Sequence, residues 1–212
     1  MIISILGKQY SGDDPRLQRP PYSDHCVQFI VHRHVVRIAQ SYPNVHRSAA
    51  RHGRRVYVVL ASDAVRSAED EMLTHKMRKA MLEIAQPRKT NYLPGQSVFH
   101  LGMRLLLFSK LCVRLGLMNG CACELVDIIF SQKEELPIDV RTGEDVVCKY
   151  MPIALLLRAE GAQWILPHDQ LPQDLPPALD RRGLFLLRPH TEHFTFEKMH
   201  VKRVGFPSMT HL

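Results

Sequence analysis

FHLGMRLLLFSKLCVRLGLMNGCACELVDII, residues Phe99 to Ile129, is the stretch from which the rest of the chain can be read. Gly102 opens a short apolar run, Leu105-Leu106-Leu107-Phe108. A second run, Glu124 to Ile129, follows the pair Asn119-Gly120. Asn-Gly tolerates positive φ at both central positions of a turn, which makes it the strongest short hairpin signal a sequence carries. Two paired strands are therefore expected. Between them, Ser109 to Met118 forms a loop that holds Lys110 and Arg114 beside Leu111, Val113, Leu115 and Leu117. A loop with that many apolar residues either folds back onto a core or meets a partner.

Outward from this stretch, CVQFIV (Cys26 to Val31) fits a buried strand, and Val35, Val36, Ile38 and Ala39 predict a short helix ending before Pro43. Asn44 to His52 reads as a second helical segment stopped by Gly53, and Val56 to Leu60 as a second strand by its β-branching. Strand, helix, strand at this spacing is that of a parallel βαβ unit. Ala68 to Ala85 predicts a helix closed by Pro87. Its stripe of Met72, Met77, Ala80, Met81 and Ile84 is read as core packing, since Met fills irregular gaps. Val146 to Leu157 predicts one or two strands, broken at Met151-Pro152 at an edge or a bulge. His168 to Arg182 is proline-rich and loop-like, and strands are expected again from Leu184 and over Thr191 to Phe196.

Composition narrows the class. The chain has 212 residues, 45% of them apolar, which is enough for one sizeable core or two small ones. No run approaches the length of a membrane-spanning helix, and the apolar opening Met1 to Gly7 lacks the basic residue and cleavage site of a signal peptide. Five cysteines, at 26, 112, 121, 123 and 148, do not form a secreted disulfide framework; a nuclear or other reducing intracellular compartment is expected. Residues 1 to 60 hold nine Lys and Arg against three Asp and Glu, whereas the remaining 152 hold nineteen against eighteen. The basic excess at the front suits phosphate contact through counterion release, and equally an ordinary solvated basic surface.

Gly102-Met103-Arg104, the aliphatics Leu105 to Leu107, then Leu111, Gly116, Leu117, Asn119 and Gly120 together resemble a block in the second half of the Pif-type and Helitron-type DNA helicases of superfamily 1. The similarity extends from about Val27 to Pro207. Val27 to Ile38 resembles the strand, loop and helix that begin the second RecA-like domain of that family. Leu184 to Pro189 and Val201 to Pro207 resemble the strands leading to its later ATPase motifs. The resemblance implies an α/β fold, a partial RecA-like parallel sheet with a small Src-homology-3-like β-barrel insertion. Its parts would be a linker or lead-in over 1–24, the start of the second RecA-like domain over 26–98, the β-rich insertion over 99–183 and returning strands over 184–212.

In intact relatives ATP and Mg are the cofactors, single-stranded DNA is the partner, and DNA repair and recombination are the setting. No G-x-x-x-x-G-K-[S/T] loop or strand-borne Walker B acidic pair occurs in this sequence. The expectation is therefore a helicase fragment without the ATP-binding half, contacting single-stranded DNA but not hydrolysing ATP, and holding no cofactor or metal of its own. A non-catalytic protein-interaction module working through the apolar loop at 111–117, or a degenerate helicase-derived reading frame, is the alternative.

The resemblance maps the DNA path to His32, Arg33 and His34, with Arg37 one turn on; the family commonly has Thr-Asn or Thr-Arg in that loop, so the histidines depart from it. Lys110 and Arg114 are the other candidates for backbone contact. The neighbouring His25, His46 and His52 lack the carboxylate or thiolate pattern of a metal site. Cys121-Ala122-Cys123 invites a zinc reading, but no second ligand pair completes it, and strand alternation puts both thiols on one face as small hydrophobes. Trp164, the only tryptophan, is read as a core residue rather than a base-stacking platform.

Overall fold

The computed structural model describes residues 2–5, 8–11, 34–65, 74–84, 87–91, 93–107, 110–136, 145–207 and 210–211, with side chains from Tyr42 onward except Pro87, Thr210 and His211. The expected strand at Cys26 to Val31 lies outside them. In chain order the elements are β1 (Ile2–Ile5), β2 (Lys8–Ser11), α1 (His34–Arg51), β3 (Val56–Leu60), β4 (Ser62–Val65), α2 (His75–Leu82), β5 (Gln96–Phe99), β6 (Arg104–Leu106), β7 (Ala122–Ile129), β8 (Asp145–Val147), β9 (Ala154–Ala159), β10 (Leu184–Leu187), β11 (His190–Phe196), β12 (Met199–Gly205) and β13 (Thr210–His211). β1 and β2 pair as a small hairpin.

The opening stretch supplies the middle of a five-stranded sheet ordered β10-β9-β7-β6-β13. β6 and β7 pair antiparallel, with Leu105 opposite Cys123, as expected. Asn119-Gly120 does not join them directly. Gly120, at φ 88, sits at the exit of a long connection, where its N–H donates to the Leu107 carbonyl over 2.8 Å. β9 is apolar on both sides because both faces of this sheet are covered. Leu155 and Leu157 enter the main core, while Leu156 packs with Leu171, Leu175 and Leu184. The proline-rich segment read as a loop thus folds over the sheet and seals its second face. A bulge between Leu125 and Asp127 shifts the register against β9.

Of the two readings of the break at Met151-Pro152, an edge or a bulge, the structure gives the edge: β8, just before it, is an edge strand of the sheet ordered β5-β3-β8. The bulge is in β7, and the chain at Pro152 crosses between sheets. β8 pairs parallel with β3, whose other neighbour is β5, antiparallel. Among the described residues this is the single parallel pairing, so the architecture is mixed α/β and mostly strand rather than a broad parallel sheet. The five-stranded sheet does not close into a barrel among these residues; the expected Src-homology-3-like closure is not seen.

The helix expected to stop before Pro43 instead runs through it, so one eighteen-residue helix replaces the two segments predicted. Proline lacks an N–H and disfavours a helix interior. Here burial outweighs that cost: Val45 and Ala49, one turn apart beyond the proline, are fully buried against β3 and β5. Gly53, at φ 61, ends the helix as expected.

α2 is capped by Thr74, whose hydroxyl accepts from the Met77 N–H. Of the methionine stripe, Met81 is fully buried and Ile84 packs beside it, Met77 is half-buried, Ala80 is exposed, and Met72 lies outside the described residues. Met81 and Ile84 meet Phe194 and Val201 on a three-stranded antiparallel sheet ordered β11-β12-β4. One guanidinium fastens this unit. Arg203, with no exposed surface, donates through Nε and Nη2 to the two oxygens of Asp63 on β4, each over 2.7 Å. It also donates to the carbonyls of Leu93 and Met81 and lies 5.0 Å over the Phe194 ring. Among the described residues no helix is long and apolar enough to cross a membrane.

Candidate nucleic-acid interface

The connection from β6 to β7 is a small structure in its own right. Leu107 N–H donates to the Cys121 carbonyl over 3.0 Å and closes its base. Further out, the N–H groups of Leu111 and Cys112 both donate to the Leu117 carbonyl, and Leu117 N–H donates back to Cys112, around a single 3-10 turn at Val113–Leu115. Gly116, at φ 76, completes the turn. Leu117 is buried, Leu111, Cys112 and Leu115 pack half-buried on the core, and Trp164 donates its indole N–H to the Leu115 carbonyl over 3.0 Å. The loop therefore folds back, as one of its two expected fates required. Trp164 stands on the core side, with its ring tilted against Phe185.

Lys110 at the base of this loop and Arg114 in its turn are exposed, and neither has an ion-pair partner among the described residues. Val113, next to Arg114 in the turn, is exposed at 63%, and Met118 at the end of the loop is exposed as well. Anchored leucines beneath and free cations above make a stiff platform able to meet phosphates at little cost in ordering.

The other four expected contacts are placed only in part. His32 and Arg33 lie outside the described residues. His34 and Arg37 begin α1, one turn apart on one helix face, and their side chains are not among those described. Further along α1, Arg47 folds back on its own helix, donating to Asn44 Oδ1 and the Pro43 carbonyl. His46 Nε2 stands 3.1 Å from Asp145 Oδ1, off the line a hydrogen bond needs. The second oxygen of Asp145 accepts from the Tyr42 hydroxyl, which pushes that phenol up to about 12. These contacts tie the helix to β8 and occupy side chains that sequence alone leaves open to solvent.

A cleft of about 560 Å³ opens between the end of α1 and the ends of β6, β7 and β9. Its charges are matched: Arg104 with Glu160 at 2.5 Å, Arg158 with Glu124 at 3.3 Å, and Arg182 with Asp180 at 2.7 Å. Arg182 holds the Asp180 carboxyl down to about 2. With each cation facing a carboxylate, the cleft offers an anion little net attraction. Ser48 and His52 also line it, yet His52 Nδ1 lies 2.8 Å from the Ser48 carbonyl rather than its hydroxyl, so no Ser–His nucleophile is assembled. Register accounts for part of this: Glu124 stands opposite both Arg104 and Arg158, but the Arg104–Glu160 pair needs the tertiary fold.

The thiols of Cys121 and Cys123 share a face with their sulfurs 3.8 Å apart; Cys123 is buried and Cys121 half-buried, and both are free. Burial first, and then its neighbour Cys121, raise the Cys123 thiol well above its ordinary value, which disfavours the thiolate a metal would need. Among the described residues no group of three or more His, Cys, Asp or Glu is arranged to hold a metal ion.

No protein-family model matches the chain, and no curated protein matches it. Among solved structures, the crystal structure of Pif1 helicase from Candida albicans is similar over 82% of this chain and 32% of that one, at 12% sequence identity and a TM-score of 0.44. The chain thus spans about a third of that helicase's length. The likeness is one of chain course alone and assigns no residue a role.

Proposed function

We propose that this chain is a helicase-derived element of the Pif or Helitron type that contacts the backbone of single-stranded DNA and does not itself hydrolyse ATP. The observation that carries the reading is the anchored loop: Lys110 and Arg114 are exposed on a segment whose leucines are held in the core. The block from Gly102 to Gly120 supports the ancestry, and the missing phosphate-cradling signature supports the lack of ATP chemistry. His32, Arg33, His34 and Arg37 would extend the same contact, and the remainder of a helicase would be the partner supplying ATP and Mg.

Titration of labelled single-stranded DNA at rising salt tests it. Binding should weaken linearly on a log–log plot, and neutralising Lys110 and Arg114 together should flatten the slope by roughly one to two units. Undetectable binding at low salt would favour the interaction-module alternative. That alternative draws less support, because Leu111, Leu115 and Leu117 face inward and leave only Val113 and Met118 exposed. ATP hydrolysis by the purified chain would overturn the proposal.

A further inference from the structure

The three-stranded sheet β11-β12-β4 has two unlike faces. One is covered by α2 and holds Phe194, Val201 and the Arg203–Asp63 pair. Strand alternation turns the next residues outward, and there Thr191, His193 and Thr195 of β11 and His200 and Lys202 of β12 are all exposed. Register sets His193 opposite Lys202 and Thr195 opposite His200, while β4 contributes only Ser62 and Ala64 beside them. No acidic side chain stands on this outward row among the described residues. Glu192 is half-buried on the other side of β11, and Glu197 sits at the hairpin tip beside Lys198.

The open edge adds to the charge. The turn Pro87–Thr90 runs beside β11 and is fastened there by Asn91, whose side-chain amide donates to the His193 carbonyl over 2.7 Å. Its Arg88 and Lys89 are exposed. Among the described residues the result is a face of cation, imidazole and hydroxyl groups, with Val204 and Ala64 between them and no competing carboxylate. Among the described residues no Phe, Tyr or Trp lies on it, so the two imidazoles are the only rings a base could meet there.

We propose that this face is a second track for single-stranded DNA, with Lys202, His193 and His200 holding the phosphodiester backbone and Arg88 and Lys89 guiding it past the edge of β11. The proposal rests on the reading that the chain meets single-stranded DNA and assigns that contact a surface separate from the loop carrying Lys110 and Arg114. Because only backbone is grasped, binding here is indifferent to base sequence and steeply salt-dependent.

The test uses the full chain, labelled oligothymidylate and a mixed-sequence oligonucleotide of equal length, read by fluorescence anisotropy at several salt concentrations. The triple variant Lys202→Glu, His193→Ala, His200→Ala should bind both oligonucleotides about tenfold more weakly, with a salt slope shallower by roughly one. Its melting temperature should match the parent chain; should the triple variant not fold, the double variant Lys202→Gln, His193→Gln takes its place. Lys202→Arg should restore binding. Parent-like affinity in the sheet variant, with a loss in the variant lacking Lys110 and Arg114, would overturn this inference and leave the loop reading standing. Absence of binding by the parent chain at low salt would overturn both. Equal affinity of the face for a polyglutamate peptide would also overturn it, marking a basic surface without preference for phosphate.

Discussion

Arg203 and Lys202 are neighbours in sequence with opposite fates: one is wholly buried and the other exposed. A buried guanidinium is tolerated only when its donors are used, and Arg203 uses them on Asp63, Leu93 and Met81. Removing one partner strands the other charge, so Asp63→Ala should destabilise the fold by about 3–5 kcal/mol in urea denaturation. A paired replacement by Met and Leu should cost far less. His100 is the second buried polar group to be felt in solution: it is 1% exposed, donates through Nδ1–H to the Leu101 carbonyl, and leaves Nε2 without a partner among the described residues. Burial lowers its pKa below the ordinary 6.5. The unfolded chain then takes up the proton first, so stability should fall as pH drops below 6.5 toward the folded-state value. His100→Gln should flatten that part of the pH–stability curve, measured by urea midpoints at successive pH. Gly95 is fixed by close approach: a Cβ there would run into the Leu82 backbone at the end of α2. None of these three demands is written in the residue's own neighbourhood of sequence.

At the scale of elements, the loop between β6 and β7 shows how a local signal can be right in kind and displaced in place. Asn119-Gly120 does turn the chain, but the strand pairing closes at Leu107 and Cys121, and a smaller turn at Val113–Gly116 fills the space between. The loop is held by one long-range hydrogen bond from Trp164. Trp164→Phe should cost about 1 kcal/mol and raise amide exchange across residues 110–117 while leaving β7 protected. The β11–β12 hairpin makes the opposite case. Its tip, Glu197-Lys198, adopts positive φ at both positions without the Asn or Gly that would announce it. Glu197→Asn with Lys198→Gly should stabilise the chain by about 1 kcal/mol, read as a higher melting temperature. Alternation over Thr191 to Phe196 announces β11, β12 is expected only from the resemblance over Val201 to Pro207, and the turn between them carries no signature.

For the molecule as a whole, one apolar core runs from α1 through β3 and β5 into the five-stranded sheet, while α2 and the β11-β12-β4 sheet enclose a smaller one. β12 pairs with β4, some 140 residues away in sequence as the Arg203–Asp63 contact measures it, so the late strands complete a sheet begun early in the chain. Folding should accordingly be cooperative across these parts, with a single urea transition followed by both tryptophan fluorescence and circular dichroism. The charge of the whole, +7, sets the long-range field. Single-stranded DNA affinity is expected to fall by an order of magnitude or more between about 50 and 200 mM salt if several phosphates are neutralised.

The sequence by itself determined the local alternatives: strands where apolar residues alternate or run together, the end of α1 at Gly53, the β6–β7 pairing, and the loop that carries Lys110 and Arg114. These follow from periodicity and backbone freedom, which act over a few residues. Tertiary structure decided what depends on distant neighbours: the passage of α1 through Pro43, the sealing of β9 by a proline-rich loop, and the matched ion pairs of the cleft. It also decided the facing of β12, which buries Arg203 and turns Lys202 and His200 to solvent. Alternation says that neighbours face opposite ways, and only a partner bearing Asp63 says which way the arginine must go.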